Sequence, residues 1–241
     1  MFDRSRRMLE ILRTARRYGL GEIMGDAAPT WLLGKPRAFD EPLNVRLRLA
    51  LEELGPVFVK FGQTLSTRRD LLPEGMAEEL SKLQDEVPPF EGAEARRLIE
   101  AAYGHSLDRF FEHFETEPMA AASIAQVHAA RLHAREGEET GREVVVKVLR
   151  PDVHERIGRD VAVLYRLAGL AARFHPEAKR LRPVEIVAEY DRIITDELDL
   201  MREGANASQL GRNWAGSDLI VHPEIHFDYS TETVLVMEHM Q

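Results

Sequence analysis

The stretch from Glu143 to Leu149 restricts the fold more than any other part of the sequence. Four of its seven residues are valine, a β-branched residue that packs well in strands. A second run with strand character, Ser123 to His133, precedes it, and the polar segment 135–141 with two glycines lies between them. Two such runs joined by a glycine-containing loop predict a β-hairpin. We therefore expect an antiparallel sheet in the fold.

The residues around this hairpin have a mainly helical pattern, interrupted by glycine and proline. Before the hairpin, helices are predicted over residues 4–20, 43–54, from Pro56 to the Leu-Leu-Pro at 71–73, 74–83 and 90–103. After it, helices are predicted over 151–174 and 183–209, and two short strands over 219–226 and 233–238. This order of elements predicts an α+β fold with one antiparallel sheet.

The composition narrows the classes of function. Asp and Glu number 41 against 32 Lys and Arg, and the net charge of −9 argues against a nucleic-acid partner. The absence of cysteine excludes disulfides, thiolate metal sites and a cysteine nucleophile. The nine histidines are scattered, so no metal site is predicted. A flavin or nicotinamide site is not predicted either, because the sequence has no Gly-x-Gly-x-x-Gly.

The N-terminal helix is basic, with six arginines in the first 17 residues against Asp3 and Glu10. Met8, Leu9 and Leu12 can share an apolar stripe along it. Two interpretations stay open: a helix lying on an anionic membrane surface, or a surface helix docked on its own domain. No apolar stretch is long and uncharged enough to span a bilayer.

Lys147 is out of place within an apolar strand. Its stem can lie on the sheet, but its ammonium group needs an anion. Protein kinases carry such a lysine one strand after a glycine-rich loop that covers the nucleotide. Here a run of small residues stands at the loop position: Ala120, Ala121, Ala122 and Ser123. The simpler alternatives are a solvent-facing lysine and an ordinary turn.

Acidic residues downstream offer partners for this lysine. Glu197, Asp199 and Glu203 are predicted to lie on one helix, and kinases pair the strand lysine with a helical glutamate. Residues two apart on a helix point in clearly different directions, so Glu197 and Asp199 cannot serve the same partner equally. The alternative is a solvated acidic face.

A further motif extends this pattern. Lys60-Phe61-Gly62-Gln63, followed by Ser-Thr-Arg-Arg-Asp-Leu-Leu-Pro at residues 66–73, resembles the signature of the UbiB family of atypical kinases. The alanine run, the Lys147 strand and the acidic helix follow in that family's order. The resemblance implies a protein-kinase-like N-lobe over residues 106–241, ending near the hinge. It also implies a helical N-terminal extension over residues 1–105 that carries the Lys-x-Gly-Gln motif.

The resemblance also implies site residues. Lys147 would contact the nucleotide phosphates, and Glu203 would be its ion-pair partner. The small-residue run would form the nucleotide-covering loop: Ala120, Ala121, Ala122 and Ser123. The regulatory extension over the pocket would use Lys60, Gly62 and Gln63, with Glu197 and Asp199 facing Lys60.

The function implied is that of the nucleotide-binding part of an atypical kinase or ATPase that supports ubiquinone biosynthesis. It would use ATP or ADP with Mg²⁺, and the extension would disfavour protein substrates. Its other partners would be an anionic membrane surface and quinone-pathway lipids or enzymes. The implied location is cytoplasmic, peripheral to the inner membrane of a bacterium. The alternative is a non-enzymatic, membrane-peripheral scaffold for a quinone-biosynthesis complex.

Phosphoryl transfer needs further groups: a catalytic aspartate, a metal-binding asparagine and a second metal-binding aspartate. In kinase-like folds these follow the second hairpin. The sequence ends at Gln241, shortly after that hairpin. We therefore expect the C-lobe and its metal ligands to be absent from this chain, and the chain alone to be inactive.

Overall fold

The computed structural model describes residues 2–21, 39–84, 87–137, 139–174, 178–217 and 219–240. In chain order, the helices are α1 (Phe2–Arg17), α2 (Leu43–Leu54), α3 (Pro56–Ser66), α4 (Met76–Leu80), α5 (Gly92–Tyr103), α6 (Val153–Phe174), α7 (Ala178–Leu181), α8 (Pro183–Glu197) and α9 (Leu200–Asn213). The strands are β1 (Phe111–Phe114), β2 (Ala120–Ala121), β3 (Ala125–Leu132), β4 (Glu143–Leu149) and β5 (Val234–Glu238).

The chain forms two compact units that interleave along the sequence. The first comprises Met1–Asp85 with His154–Ile193, and the second comprises Glu86–Val153 with Ile194–Gln241. The sequence placed a single boundary after residue 105. The difference arises because α5 shares a core with the sheet, while most of α6 and α8 belongs to the helical unit.

In the first unit, the basic helix α1 is docked on its neighbours. Ile11 and Thr14 are buried on its inner face. The Arg7 guanidinium donates two hydrogen bonds of 2.9 Å to Asp160 of α6 and a third to the Leu54 carbonyl. These charge-assisted bonds hold α1 on its own unit, as the second interpretation of this helix expected. Among the described residues, no helix has the length and apolar character needed to cross a membrane.

A glycine fixes how closely the helices of the first unit pack. A methyl group added at Gly62 of α3 would lie 2.4 Å from Leu83 and 2.8 Å from Leu51, which is too close for any real contact. The neighbouring side chain of Gln63 donates a hydrogen bond of 2.9 Å to the Leu83 carbonyl. Two residues of the Lys-x-Gly-Gln motif therefore hold α3 against α2 and the residues after α4.

The second unit is built on one antiparallel sheet with the strand order β1-β3-β4-β5, and β2 pairs with β3. The predicted hairpin is present as β3 and β4. The two short strands β1 and β2 had not been predicted. The predicted strand over 219–226 was wrong: within it only Ile225 forms a bridge, to Met237 of β5. Pro223 has no N–H to donate, and His222 instead lies against Gly211 of α9.

Buried and half-buried side chains alternate along β4, and this alternation distinguishes the two faces of the sheet. Val144, Val146 and Val148 are fully buried in a core with Ala95 and Ile99 of α5. Successive side chains on a strand point to opposite faces, so Val145 and Lys147 lie on the other face. The hydrophobic core thus fixes which face of the sheet presents Lys147.

A buried polar network in the second unit joins β3 to the backbone of Phe90 and Glu115. Gln126 of β3 accepts a hydrogen bond from the Phe90 N–H at 3.0 Å, and it donates to the Phe90 carbonyl at 3.3 Å. The same amide donates to His128 Nε2 at 2.8 Å, and His128 Nδ1 donates to the Glu115 carbonyl at 2.8 Å. Gln126 and His128 are fully buried. Burial lowers the pKa of His128, because it disfavours the charged ring more than the Glu115 carbonyl favours it.

We expect Gly62→Ala to lower the free energy of unfolding by about 1–3 kcal/mol, because the new methyl group overpacks the contact with Leu83 and Leu51. Gly158→Ala in α6 is the matched control, since no atom lies within 4 Å of its added methyl group. The free energy of unfolding of the control is expected to rise by about 0.4–1 kcal/mol, because alanine reduces the conformational entropy of the unfolded chain. Denaturant unfolding of both variants tests this, and equal stability of the two would contradict it.

The lowered pKa of His128 predicts a pH-dependent stability. The unfolded chain takes up a proton as pH falls below about 6.5, and the folded ring resists it, so the free energy of unfolding decreases over that range. His128→Gln lacks this group and is expected to lose less stability between pH 7 and 5. Urea unfolding across that range compares the slopes of the free energy of unfolding against pH for the wild type and the variant. His226, whose pKa burial also lowers, contributes to both proteins. Identical slopes would refute the assignment to His128.

Candidate functional site

The site is built around an ion pair between Lys147 and Glu203. Lys147 Nζ lies 2.6 Å and 2.7 Å from the two carboxylate oxygens of Glu203. The side chain of Lys147 is 22% exposed and that of Glu203 is 39% exposed. The strand lysine is therefore neutralised by a carboxylate, while one side of the pair stays open to solvent.

Helix α9 supplies Glu203 from its first turn. Asp199 caps this helix, because its side chain accepts a hydrogen bond from the Arg202 N–H at 3.2 Å. The helix predicted over 183–209 is therefore wrong as a single element: α8 ends at Glu197, and the Asp199 cap begins a new helix. The predicted divergence of Glu197 and Asp199 around one helix axis consequently does not apply.

A close approach of α9 to the sheet brings Glu203 over Lys147. A methyl group added at Gly204 would meet Leu235 of β5 at 2.9 Å and Ile225 at 3.1 Å. Leu235 lies directly opposite Lys147 in the β4–β5 register. The Leu200 N–H also donates to the Glu232 carbonyl at 2.9 Å. The absence of a side chain at Gly204 thus lets its neighbour Glu203 reach the strand lysine.

An apolar strip lies on the same face of the sheet as Lys147. The cross-strand register places Val127 beside Lys147, and Val145 between Ala129 and Met237. These four apolar residues are half-buried. A flat apolar group could lie on this strip with an anionic group at the lysine, which is the chemistry of a nucleotide.

The alanine loop, residues 120–123, consists of β2 and the start of the tight turn that joins it to β3. Ala120 and Ala121 pair with Val127 and Gln126, and the Ala122 N–H donates to the Ala125 carbonyl at 2.9 Å. None of the four loop residues has a positive φ. The backbone conformation therefore does not require glycine, and alanine fits without strain.

The predicted regulatory residues fall in different units. Lys60, Gly62 and Gln63 belong to the first, and Glu197 and Asp199 to the second. Gly62 and Gln63 have the packing roles described above. The predicted facing of Lys60 by the two acidic residues stays a prediction.

Sequence reasoning missed Arg150, whose guanidinium donates to the Ala122 carbonyl of the alanine loop at 2.8 Å. An arginine at a strand end carries no recognisable pattern.

A five-stranded antiparallel sheet whose central lysine pairs with a helical glutamate defines the class of protein: a kinase-like N-lobe. Residues 82–241 match the ABC1 atypical kinase-like domain. The chain belongs to the UbiB family of these atypical kinase-like proteins. This confirms both the resemblance of its motifs and the predicted α+β fold.

Individual relatives agree with this assignment. The chain is 48% identical to the probable protein kinase UbiB of Erwinia tasmaniensis, over 99% of the chain and 44% of that protein. It is 51% identical to the probable protein kinase UbiB of Xylella fastidiosa, over 97% of the chain and 43% of that protein. The chain thus spans less than half the length of these curated relatives.

A solved structure is also similar. The Mycobacterium tuberculosis protein Rv3197, in a complex with erythromycin, matches with a TM-score of 0.52 and 28% sequence identity. The match covers 79% of this chain and 46% of that protein.

A double-mutant cycle measures the strength of the central ion pair. We expect Lys147→Met and Glu203→Gln to show a coupling of about 1 kcal/mol or more in the free energy of unfolding, since the pair is bidentate and partly buried. The exposed pair Arg131–Glu143 on the same sheet is the control, with an expected coupling of about 0.2–1 kcal/mol. Additive effects of the two substitutions would contradict the pairing.

Proposed function

We propose that this chain carries the nucleotide-binding part of an atypical kinase or ATPase that supports ubiquinone biosynthesis. The observation that carries the proposal is the bidentate Lys147–Glu203 pair on a sheet of the kinase-like family. The names of the UbiB relatives support the assignment to a kinase-type reaction.

The ion pair is suited to holding a phosphate. An ammonium group has three N–H donors, and the two oxygens of Glu203 engage Lys147 from one side. The remaining donor capacity is then available to a phosphate oxygen. The glutamate also fixes the direction of the flexible lysine, so less side-chain entropy is lost when the nucleotide binds.

The cofactor we propose is ATP or ADP with Mg²⁺. Lys147 would hold the phosphates, and the alanine loop would cover them with its backbone. When bound, Mg²⁺ supplies charge neutralisation at the phosphates. Because the chain spans less than half of its relatives, the activity is proposed for the whole protein. The catalytic aspartate and the metal ligands are proposed to lie elsewhere in that protein, and this chain alone is expected to be inactive.

The proposal includes a restriction on substrates. The Lys-x-Gly-Gln segment, with Lys60, Gly62 and Gln63, resembles a family signature that implies a cover over the nucleotide pocket. We propose that this segment disfavours protein substrates. The reaction would then be ATP hydrolysis, or a reaction on a small-molecule or lipid-linked substrate. Lys60→Ala in the whole protein tests it: increased phosphorylation of protein substrates is expected, and an unchanged level would refute this restriction.

A second candidate is a non-enzymatic scaffold at a membrane surface. One observation favours it: Arg6, Arg13, Arg16 and Leu9 are exposed on one side of α1, opposite its docked face. Residues at these spacings share a helix face, and a basic face with an apolar residue suits an anionic lipid surface. This candidate leaves Lys147 and Glu203 without a role.

Substitution of Lys147 separates the two functions. In the whole protein, Lys147→Ala is expected to reduce Mg-ATP hydrolysis on the order of 10²-fold and to abolish ubiquinone production in cells that depend on it. Lys82→Ala, at an exposed lysine of the first unit, is the control and is expected to preserve both. Full ubiquinone production with Lys147→Ala would overturn the enzymatic proposal and favour the scaffold.

A further inference from the structure

Arg150 connects the alanine loop to a proline-containing segment, residues 87–90. Its Nε donates to the Ala122 carbonyl at 2.8 Å. Its Nη2 donates to the Val87 carbonyl at 3.2 Å and to the Pro88 carbonyl at 2.9 Å. One guanidinium therefore bridges three backbone carbonyls from two separate segments, which is possible because its donors form a rigid planar fork.

The segment whose carbonyls accept hydrogen bonds from Arg150, residues 87–90, is itself held in place. The Phe90 backbone exchanges two hydrogen bonds with the fully buried side chain of Gln126. The Arg150 guanidinium also lies over the Phe90 ring, 5.6 Å from its centroid. Pro88 and Pro89 restrict the backbone between these contacts. Arg150 thus joins the loop to a rigid support.

The backbone of Arg150 holds the other side of the loop. The Arg150 N–H donates to the Ile124 carbonyl at 2.8 Å, while its side chain holds Ala122. Because a trans peptide places its C=O and N–H on opposite sides, fixing the Ala122 carbonyl also fixes the direction of the Ser123 N–H. Backbone N–H groups are the groups through which such loops bind phosphate.

We propose that Arg150 is a positioning residue that holds the alanine loop in one conformation before the nucleotide binds. This inference rests on the proposed nucleotide-binding function. Glycine-rich loops have a large conformational freedom that is lost on ordering. In this chain, alanine reduces that freedom, and the Arg150 bridge removes more of it, so the loop is ready for the phosphates. A preorganised loop increases affinity without changing the chemical step.

Arg150→Gln and Arg150→Lys in the whole protein test the proposal, with Arg131→Gln on the same sheet as a control that makes no contact with the loop in the structure. Hydrogen exchange of residues 120–125 is measured without nucleotide, and Mg-ADP affinity and the kcat and KM for ATP are measured separately. We expect about tenfold faster exchange in Arg150→Gln, about tenfold weaker Mg-ADP binding, and a raised KM with kcat changed by less than about twofold. Arg150→Lys, with a single ammonium in place of the fork, is expected to show intermediate values, and the control to match the wild type.

The outcomes distinguish this inference from the proposed function. If the wild-type protein does not bind Mg-ADP, the nucleotide-binding function fails and the inference fails with it. If the wild type binds but Arg150→Gln leaves the exchange of the loop unchanged, the positioning role is overturned while the function stands. Faster exchange with unchanged affinity would overturn it as well. A general loss of protection across the whole sheet would also count against a role confined to the loop.

Discussion

The need to neutralise a lysine within an apolar strand organises the second unit. Lys147 lies between Val127 and Leu235 in a sheet whose opposite face is a closed hydrophobic core. An ammonium group so placed needs a carboxylate, and Glu203 supplies both of its oxygens. The core determines the face on which the lysine emerges, and Gly204 lets α9 come close enough for the pair to form.

Small residues and backbone hydrogen bonds do much of the positioning in each unit. In the first unit, Gly62 allows α3 to pack closely, and Gln63 fixes the same contact through the Leu83 carbonyl. In the second, the Asp199 cap sets where α9 begins and so which turn presents Glu203. The alanine loop is shaped by Arg150 through carbonyl contacts. At Gln63, Asp199 and Arg150, a side chain that bonds to the backbone fixes the local geometry.

The sequence predicted what depends on pattern and missed what depends on tertiary contacts. Alternating and β-branched residues predicted β3 and β4. An out-of-place lysine with three downstream acids indicated an ion pair, and the family resemblance implied that Glu203 is the partner of Lys147. The break between α8 and α9 was missed because Asp199 lies between residues that all favour a helix, so only its capping bond reveals it. The 219–226 segment was mistaken for a strand because it begins with the consecutive apolar residues Leu219, Ile220 and Val221, two of them β-branched. Pro223 and the contact of His222 with Gly211 prevent regular pairing. Arg150 could not be found from sequence, because its partners are carbonyls that any residue carries.

The most direct test of the central claim, that Lys147 contacts nucleotide phosphate, is labelling of the whole protein with an acyl-phosphate derivative of ATP. Such a reagent transfers its acyl group to a lysine amine beside the bound phosphates, and peptide mass spectrometry identifies the lysine. The account predicts acylation of Lys147 that excess Mg-ATP prevents, with any labelling of the exposed Lys82 unaffected by ATP. Absence of labelling at Lys147, or labelling that ATP does not reduce, would contradict it.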